Sequence, residues 1–246
     1  MSHHLLEARD LAYHYPDGTA ALRGLSFAIH HGEAVALVGA NGAGKSTLLK
    51  QLNGLLLPSR GEVRIGEIPV TRKTRTQIFR SVGYVFQDPD DQLFMATVYE
   101  DVAFGPLNMG LEAPEVERRV LAALATVGAL HLAERAPYRL SGGEKRAVAI
   151  AGVLAMSPDL LVLDEPSDNL DPGARRRLIH LLQGFTHTRV IATHDLDLVL
   201  EVCSRVIVLR AGAIEADGTP ESIFTDDDLL ARCGLEPPRA WQSRGA

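Results

Sequence analysis

Short apolar segments alternate with helical segments over much of this chain. Ala34–Val38 is a continuous apolar run that stops at a glycine-rich loop, which is typical of a strand buried on both faces of a parallel sheet. Further strands are predicted at 82–86, 160–164, 189–193 and 205–210, and helices at 45–52, 144–156, 172–185 and 196–203. This alternation with short links predicts a doubly wound α/β fold.

Three regions depart from this alternation. Leu5–Tyr15 and Ala20–His30 are predicted to form an N-terminal antiparallel β segment around a tight turn at Pro16-Asp17-Gly18. From about Thr97 to Leu140 the pattern is helical, with a 3.6-residue apolar rhythm at Val116, Val120, Leu121, Leu124 and Val127. This stretch is predicted to be an inserted helical subdomain. The polar, proline-containing tail after Gly234 is predicted to be loosely ordered.

Composition narrows the classes of protein that fit. The chain has 246 residues and a formal net charge of -6, so it lacks the basic field of a nucleic-acid-binding protein. Its longest apolar stretch, Val148 to Met156, is shorter than the roughly 18 residues that span a bilayer. No signal peptide is expected, because the N-terminus has no basic region followed by an apolar core. Any membrane role is therefore expected to be peripheral, through a partner.

A phosphate-binding loop follows the first apolar strand. The pattern G-x-x-x-x-G-K-S runs from Gly39 to Ser46, where glycines let backbone N–H groups turn inward around an anion. Lys45 is predicted to reach the β and γ phosphates of a nucleotide, and the Ser46 hydroxyl to coordinate Mg²⁺. The predicted nucleotide-binding residues of this loop are Gly39, Asn41, Gly42, Ala43, Gly44, Lys45, Ser46 and Thr47.

Two carboxylates end the strand at 160–164. Asp164 is predicted to hold Mg²⁺, directly or through water, and Glu165 to orient and deprotonate an attacking water molecule. Upstream, Ser141-Gly142-Gly143 opens a helix, so its hydroxyl and N–H groups are predicted to form a second anion site.

The phosphate loop, the Leu140–Lys145 segment and the Leu160–Pro166 strand, in this order, resemble the ATPase subunit of an ABC (ATP-binding cassette) machine. The resemblance implies a P-loop NTPase core at about 5–95 and 141–225, a helical subdomain at about 96–140 and a C-terminal tail at about 226–246, in one domain over 1–246. In this family two copies clamp ATP between them, so Ser141, Gly142 and Gly143 are expected to grip the nucleotide held by a second copy.

The same resemblance assigns three further residues. Tyr15 resembles the aromatic residue on which adenine stacks. Gln87 resembles the glutamine that touches Mg²⁺ and changes position on closure, and is expected to take part in catalysis and metal binding. His194 resembles the histidine that contacts the γ-phosphate and holds the catalytic geometry.

Asp88–Phe94 and Thr97–Asn108 are more specific and resemble the ATPases of energy-coupling-factor importers, which take up vitamins and cobalt or nickel ions. Leu140–Met156 looks most like the cobalt and nickel types. The resemblance implies a homodimer on the cytoplasmic side of the cell membrane, docked on a transmembrane coupling subunit that joins a substrate-binding membrane subunit. Alternatives are the ATPase of a vitamin or other ABC transporter, and a soluble ABC ATPase of DNA repair or translation, although the chain has no long coiled coil, duplication or basic surface.

Crowded carboxylates follow Gln87. Asp88, Asp90 and Asp91 are expected to form an acidic rim of a groove that receives basic coupling helices, with Phe94 and Phe104 as apolar contacts. The alternative is an ordinary solvated loop.

Overall fold

The computed structural model describes residues 4–242. Its strands are β1 (His4–His14), β2 (Ala20–His30), β3 (Ala34–Val38), β4 (Arg60–Ile65), β5 (Ile68–Pro69), β6 (Val82–Val85), β7 (Leu160–Asp164), β8 (Thr188–Ala192), β9 (Arg205–Arg210) and β10 (Ala213–Gly218). Its helices are α1 (Lys45–Leu52), α2 (Arg75–Ser81), α3 (Val98–Asn108), α4 (Ala113–Thr126), α5 (Gly142–Leu154), α6 (Pro172–Gln183), α7 (Leu196–Val202), α8 (Pro220–Phe224), α9 (Asp227–Cys233) and α10 (Arg239–Gln242).

The strands form two sheets. An antiparallel sheet has the order β2-β1-β4-β5, and a six-stranded sheet has the order β10-β9-β3-β8-β7-β6. In the larger sheet β9, β3, β8, β7 and β6 run parallel, and β10 is an antiparallel edge strand. The α/β fold predicted from the sequence is therefore confirmed. Because the parallel strands end at one edge, the residues that follow β3, β6, β7 and β8 gather there.

Burial on both faces explains the apolar composition of the central strands. All five residues of β3, β7 and β8 are buried. One apolar cluster joins the two sheets and α1, and a second lies on the other face of the larger sheet under α6 and α7. Each fully buried aliphatic side chain contributes roughly 1.5–3 kcal/mol to folding.

A third apolar cluster lies in the helical region and is formed by α3, α4 and α5. Helix α5 takes part in two clusters, because Val148 and Ala151 pack in this one while Ile150 packs against the sheet. Both α3 and α5 begin at a capping box, Thr97 with Glu100 and Ser141 with Glu144, which satisfies the first backbone N–H groups. Helix α5 therefore connects the helical region to the core.

Most predicted elements lie close to their observed positions. The helices predicted at 144–156 and 172–185 are observed at 142–154 and 172–183, and the strands at 160–164 and 205–210 have the predicted bounds. The helical pattern after Thr97 resolves into α3, α4 and two short 3₁₀ turns, Leu130–Leu132 and Pro137–Arg139.

The prediction of a loosely ordered tail is wrong for residues 235–242. Helix α10 packs on α7, where the Ala240 N–H donates to Asp197 Oδ1 at 3.0 Å. The rings of Trp241 and Phe224 lie 6.3 Å apart, and Leu235 packs on the same apolar cluster. A few apolar side chains bind the segment to the core in spite of its prolines. Residues 243–246 lie outside the described part of the chain.

No helix within residues 4–242 is long and apolar enough to cross a membrane.

Candidate nucleotide site

The phosphate loop joins β3 to α1, and its backbone requires glycine at two positions. Gly39 has φ 153° and a Cβ there would overlap the Leu209 carbonyl oxygen. Gly44 has φ 105° and a Cβ there would lie 2.7 Å from the Ala21 carbonyl oxygen. The loop is thus held against two neighbouring strands, which fixes the direction of its N–H groups.

The Lys45 side chain lies across this loop and is only 7% exposed. Its Nζ donates to the Gly39 carbonyl at 2.7 Å and to the Ala40 carbonyl at 3.4 Å. The same Nζ lies 3.8 Å from Glu165 Oε1. The ammonium is therefore placed at the mouth of the loop, where a phosphate oxygen can replace the carbonyls as its partner.

Asp164 lies at the end of β7 and is 4% exposed. Its Oδ1 accepts from the Ser46 hydroxyl at 3.1 Å, and its Oδ2 accepts from the Tyr84 hydroxyl at 2.8 Å. Burial, together with the adjacent Asp164 carboxylate, raises the pKa of Tyr84, so the phenol stays a donor. A hydroxyl and a carboxylate side by side are the oxygen ligands that Mg²⁺ prefers, so these residues fit that ion.

Glu165 is held by three backbone or side-chain groups. Its N–H donates to the Ala192 carbonyl at 2.8 Å. Its Oε2 accepts from the His194 N–H at 3.1 Å and lies 2.9 Å from His194 Nδ1. Its φ of 44° is unusual for a residue other than glycine and costs roughly 1–3 kcal/mol. Such strain at a strand end is typical of a functional position.

Gln87 follows β6 and lines the same cleft of ≈ 480 Å³ as Ser46 and Asp164. Its Nε2 donates to Asp168 Oδ2 at 3.2 Å, so the side chain is turned toward the loop after β7. The structure therefore brings Gln87 to the cleft but directs its amide to Asp168 rather than to the predicted metal ligands.

Tyr15 lies beside the phosphate loop. Its hydroxyl is 2.9 Å from Thr47 Oγ1, and its ring meets that of Tyr13 edge-on at 5.0 Å. The predicted adenine platform is thus attached to the helix that follows the loop.

Ser141 caps α5 and is occupied by a neighbour in its own helix. Its hydroxyl and its N–H each donate to Glu144 Oε2 at 2.8 Å. These hydrogen bonds lower the pKa of Glu144, which is therefore a carboxylate at neutral pH. Within residues 4–242, Ser141 has no hydrogen bond to the phosphate loop of its own chain. Gly142 lines the 480 Å³ cleft, and Gly143 lets α5 approach Ala174 of α6.

Sequence reasoning missed the contacts that three polar residues make in this site. Tyr84 reads as an ordinary strand residue, yet it holds Asp164. Asp168 receives the Gln87 amide, and Arg146 donates to the backbone carbonyls of Phe86 and Gln87 at 2.6 Å each. The available signal was a charged residue, Arg146, just before the apolar stretch of its helix.

Comparison with known proteins places this geometry in a family. The sequence profile of the ABC transporter family matches residues 22–168. The energy-coupling factor transporter ATP-binding protein EcfA of Methanothermobacter thermautotrophicus is 50% identical over 240 residues, which cover 96% of this chain and 77% of that protein.

Solved structures agree. The structure of cbiO1 from Clostridium perfringens, part of the ABC transporter complex cbiONQ, has a TM-score of 0.84 and 40% identity and covers 100% of both chains. The dimeric ATP-binding cassette MJ0796, in a post-hydrolysis state bound to ADP and Pi, has a TM-score of 0.80 and 29% identity and covers 87% of this chain and 98% of that one.

Proposed function

This chain belongs to the ABC transporter family, as an ATPase subunit that couples ATP hydrolysis to transport, and we propose that its cargo is a transition-metal ion. Cobalt is the first candidate and nickel the second. The support is the similarity to cbiO1 over the whole of both chains. The ATPase of a vitamin or other ABC importer is the alternative, because EcfA is also a relative and its name specifies no cargo.

The position of Glu165 between Lys45 and His194 supports the catalytic assignment. Glu165 Oε1 lies 3.8 Å from Lys45 Nζ, and Glu165 Oε2 lies 2.9 Å from His194 Nδ1. Lys45 binds the γ-phosphate, and Glu165 orients a water molecule and accepts its proton as the water oxygen attacks phosphorus. The bond to the bridging oxygen breaks, which yields ADP and phosphate. His194 holds the Glu165 carboxylate through its backbone N–H and its ring.

Ser46 and Asp164 hold Mg²⁺ in this proposal, and Gln87 reaches it after leaving Asp168. The ion, when bound, neutralises charge on the β and γ phosphates. Tyr15 stacks on adenine.

The second half of the site comes from a second copy of the chain. Ser141, Gly142 and Gly143 offer a hydroxyl and helix N–H groups that no residue of their own phosphate loop engages within residues 4–242. Cassettes of this family act as dimers, as MJ0796 does. In a homodimer each Ser141 grips the nucleotide that the facing Lys45 holds.

The membrane partner docks on an apolar groove of ≈ 550 Å³ between the helical region and the core. Phe94 and Phe104 line it with ring centroids 4.9 Å apart and are 63% and 42% exposed. A transmembrane coupling subunit places a helix here and connects to the substrate-binding membrane subunit. The chain is thereby held peripherally on the cytoplasmic side of the cell membrane.

Glu165→Gln tests the catalytic assignment. The amide keeps the shape but cannot accept the proton, so kcat should fall by about 10²-fold or more while ATP affinity is retained. The variant should also accumulate as an ATP-bound dimer in light scattering. Glu117→Gln, on the exposed face of α4, is the matched control and should match wild type. Activity of Glu165→Gln within about threefold of wild type would remove Glu165 as the base.

The cargo is tested by transport. In cells that lack this chain, expression of a tagged copy should restore uptake of radioactive cobalt or nickel. Pull-down of the tagged copy should recover two membrane subunits. Restored vitamin uptake without metal uptake would favour the alternative.

A further inference from the structure

Arg146 is a buried cation in the second turn of α5. It is 3% exposed, and its guanidinium donates to the Phe86 carbonyl and the Gln87 carbonyl at 2.6 Å each. Burial lowers its pKa, and the carboxylates of Asp168, Asp88 and Asp164 act in the opposite direction. Burying a charge is costly, and an apolar side chain would fill this position without that cost. We therefore attribute the presence of an arginine here to its hydrogen bonds with these two backbone carbonyls.

Two further contacts attach the same segment to α5. Lys145 Nζ lies 2.6 Å from Asp90 Oδ1, and Gln92 Nε2 donates to the Ala149 carbonyl at 2.7 Å. Gln92 Oε1 also accepts from the Phe86 N–H at 3.2 Å. Residues 86–92 are thus attached to the first turns of α5 at three points, and Arg146 makes two hydrogen bonds at one of them.

Helix α5 begins at Ser141. Arg146 is the fifth residue after Ser141, which is about 8 Å along a helix that rises 1.5 Å per residue. Arg146 and Ser141 therefore lie in the same N-terminal part of α5, so a displacement of the Gln87 backbone that carries Arg146 with it also shifts Ser141.

We propose that Arg146 is a positioning residue that couples the two nucleotide sites of the dimer by locking the Gln87 backbone to the helix that carries Ser141. This inference rests on the proposed function, in which Gln87 serves the nucleotide of its own chain and Ser141 that of the facing chain. ATP binding that draws Gln87 away from Asp168 then moves Ser141 toward the opposite site. Arg146 makes no contact with nucleotide in this scheme.

Arg189 offers a matched control. It is 7% exposed, and its guanidinium donates to the Phe185 carbonyl at 2.8 Å and the Val202 carbonyl at 3.0 Å. Burial lowers its pKa too, and in both arginines Nε has no hydrogen-bond partner within residues 4–242. Arg189 is in β8, and its guanidinium has no hydrogen bond to residues 86–92 or to α5 within residues 4–242. Its removal reproduces the structural loss without the proposed coupling.

The experiment compares full-length wild type, Arg146→Met, Arg146→Lys and Arg189→Met. Thermal unfolding reports the structural loss, TNP-ATP titration reports nucleotide affinity, and ATPase rate against ATP concentration reports kcat and the Hill coefficient. Arg146→Met should lower kcat by about tenfold and bring the Hill coefficient to about 1, with TNP-ATP affinity within about twofold.

The other variants separate coupling from stability. Arg189→Met should lower the Tm by an amount similar to that of Arg146→Met and yet keep the wild-type Hill coefficient and kcat. Arg146→Lys should be intermediate, because an ammonium retains a charge but loses the planar fork that meets two carbonyls. It also decides the question if Arg146→Met fails to fold.

Two results overturn the inference in distinguishable ways. If wild type is cooperative and Arg146→Lys and any folded Arg146→Met differ from it only in Tm, as Arg189→Met does, Arg146 is structural. If wild type itself shows a Hill coefficient of about 1 and no ATP-dependent dimer, the two-copy site of the proposed function fails and the coupling fails with it.

Discussion

At the scale of single residues, the site depends on carboxylates that are buried and yet accept hydrogen bonds. Asp164 is 4% exposed and receives two hydroxyl donors, Ser46 and Tyr84. Glu165 is 7% exposed and receives the His194 N–H. A buried carboxylate without such partners would take up a proton or destabilise the fold. The donors therefore fix both groups in direction before any nucleotide binds.

Tyr84→Phe should disturb Asp164 without removing it. A hydrogen bond to a charged group contributes about 1.5–3 kcal/mol, so we expect a roughly tenfold or larger rise in the Mg²⁺ concentration for half-maximal ATPase activity. Activity should recover toward wild type at high Mg²⁺. Tyr138→Phe, at a tyrosine that is 75% exposed, is the control. An unchanged Mg²⁺ dependence would show that Tyr84 does not orient Asp164.

The same phenol has a defined pH window. Its pKa is raised in the folded state, so its contribution to the free energy of unfolding is complete below the unfolded tyrosine pKa of about 10. The stability difference between wild type and Tyr84→Phe should therefore be constant from pH 6 to about pH 9 and change only at higher pH. Urea unfolding across this range measures it.

The residues predicted from the sequence are those whose chemistry dictates their spacing. Gly39 and Gly44 are required by backbone contacts, Lys45 follows from the helix start after the loop, and Asp164 from the strand end that carries it. The role of Tyr84 was not predicted, because a tyrosine in a short strand has the same sequence pattern whether or not its hydroxyl donates to a carboxylate. The catalytic roles of Glu165, His194 and Gln87 stay predictions.

At the scale of elements, α5 is the connection between the helical region and the core. Lys145 Nζ forms an ion pair with Asp90 Oδ1 at 2.6 Å, and Asp88 Oδ1 accepts a hydrogen bond from the Asp90 N–H at 2.9 Å. The expected acidic rim of three carboxylates is thus reduced, because two of them are engaged within the chain. Asp91, which lines the groove with Phe94, is the remaining candidate for a basic coupling helix.

Phe94→Ala and Asp91→Asn should each weaken assembly with the membrane subunits. Removing a central aromatic contact costs about 1–2 kcal/mol or more, which is a roughly tenfold loss of affinity. ATP binding by the isolated Phe94→Ala chain should not change, because Phe94 does not line the cleft that contains Ser46, whereas Asp91 does. Leu121→Ala, at a 41% exposed leucine outside the groove, is the control for pull-down and transport. Normal assembly and transport by both variants would leave this groove without a coupling role.

Elements missing from the sequence prediction are short or unusual in pattern. Strand β10 alternates exposed and half-buried residues, and β5 has only two residues. Such segments carry too few apolar positions for either period to show. In helices α8 and α9 the apolar residues lie among acidic residues in the sequence, so the pattern does not show that Phe224, Leu229 and Leu230 are buried. The secondary structure of these segments depends on tertiary packing, because their local propensity does not favour one type.

At the scale of the whole molecule, Ser141 has no hydrogen bond to the phosphate loop of its own chain within residues 4–242, although Gly142 and Ser46 line one cleft. Lys45, Asp164 and Glu165 gather at the strand ends, while Ser141 hydrogen-bonds Glu144 in its own helix. In the proposed two-copy site, the Ser141 of another copy grips the triphosphate from its second side. Glu144 is anionic, so it must turn away from Ser141 before a γ-phosphate arrives. ATP-driven association therefore requires rearrangement at the helix start.

Cross-linking across the two copies tests this arrangement. Asn41 is exposed in the phosphate loop, so Asn41→Cys and Ser141→Cys chains, mixed in the presence of ATP and a short bismaleimide, should give a covalent dimer. Native cysteines should react slowly: both Cys203 and Cys233 are buried, and burial raises the pKa of Cys203 to about 12. Replacing Ser141→Cys by Glu117→Cys, on α4, should abolish the product. An equal yield without ATP, or none with it, would contradict the two-copy site.

Mixing two inactive variants gives the functional counterpart. Lys45→Ala should lose ATP affinity, and Ser141→Arg should lose hydrolysis while ATP binding is much less affected. If Ser141 acts on the facing copy, a mixed dimer has one site with Lys45 and Ser141 both intact and one site with neither. About half of the dimers in an equimolar mixture should be mixed if association is random, so ATPase activity should rise well above that of either variant alone. If Ser141 instead serves its own chain, every site in the mixture lacks one of the two residues, and mixing should produce no activity.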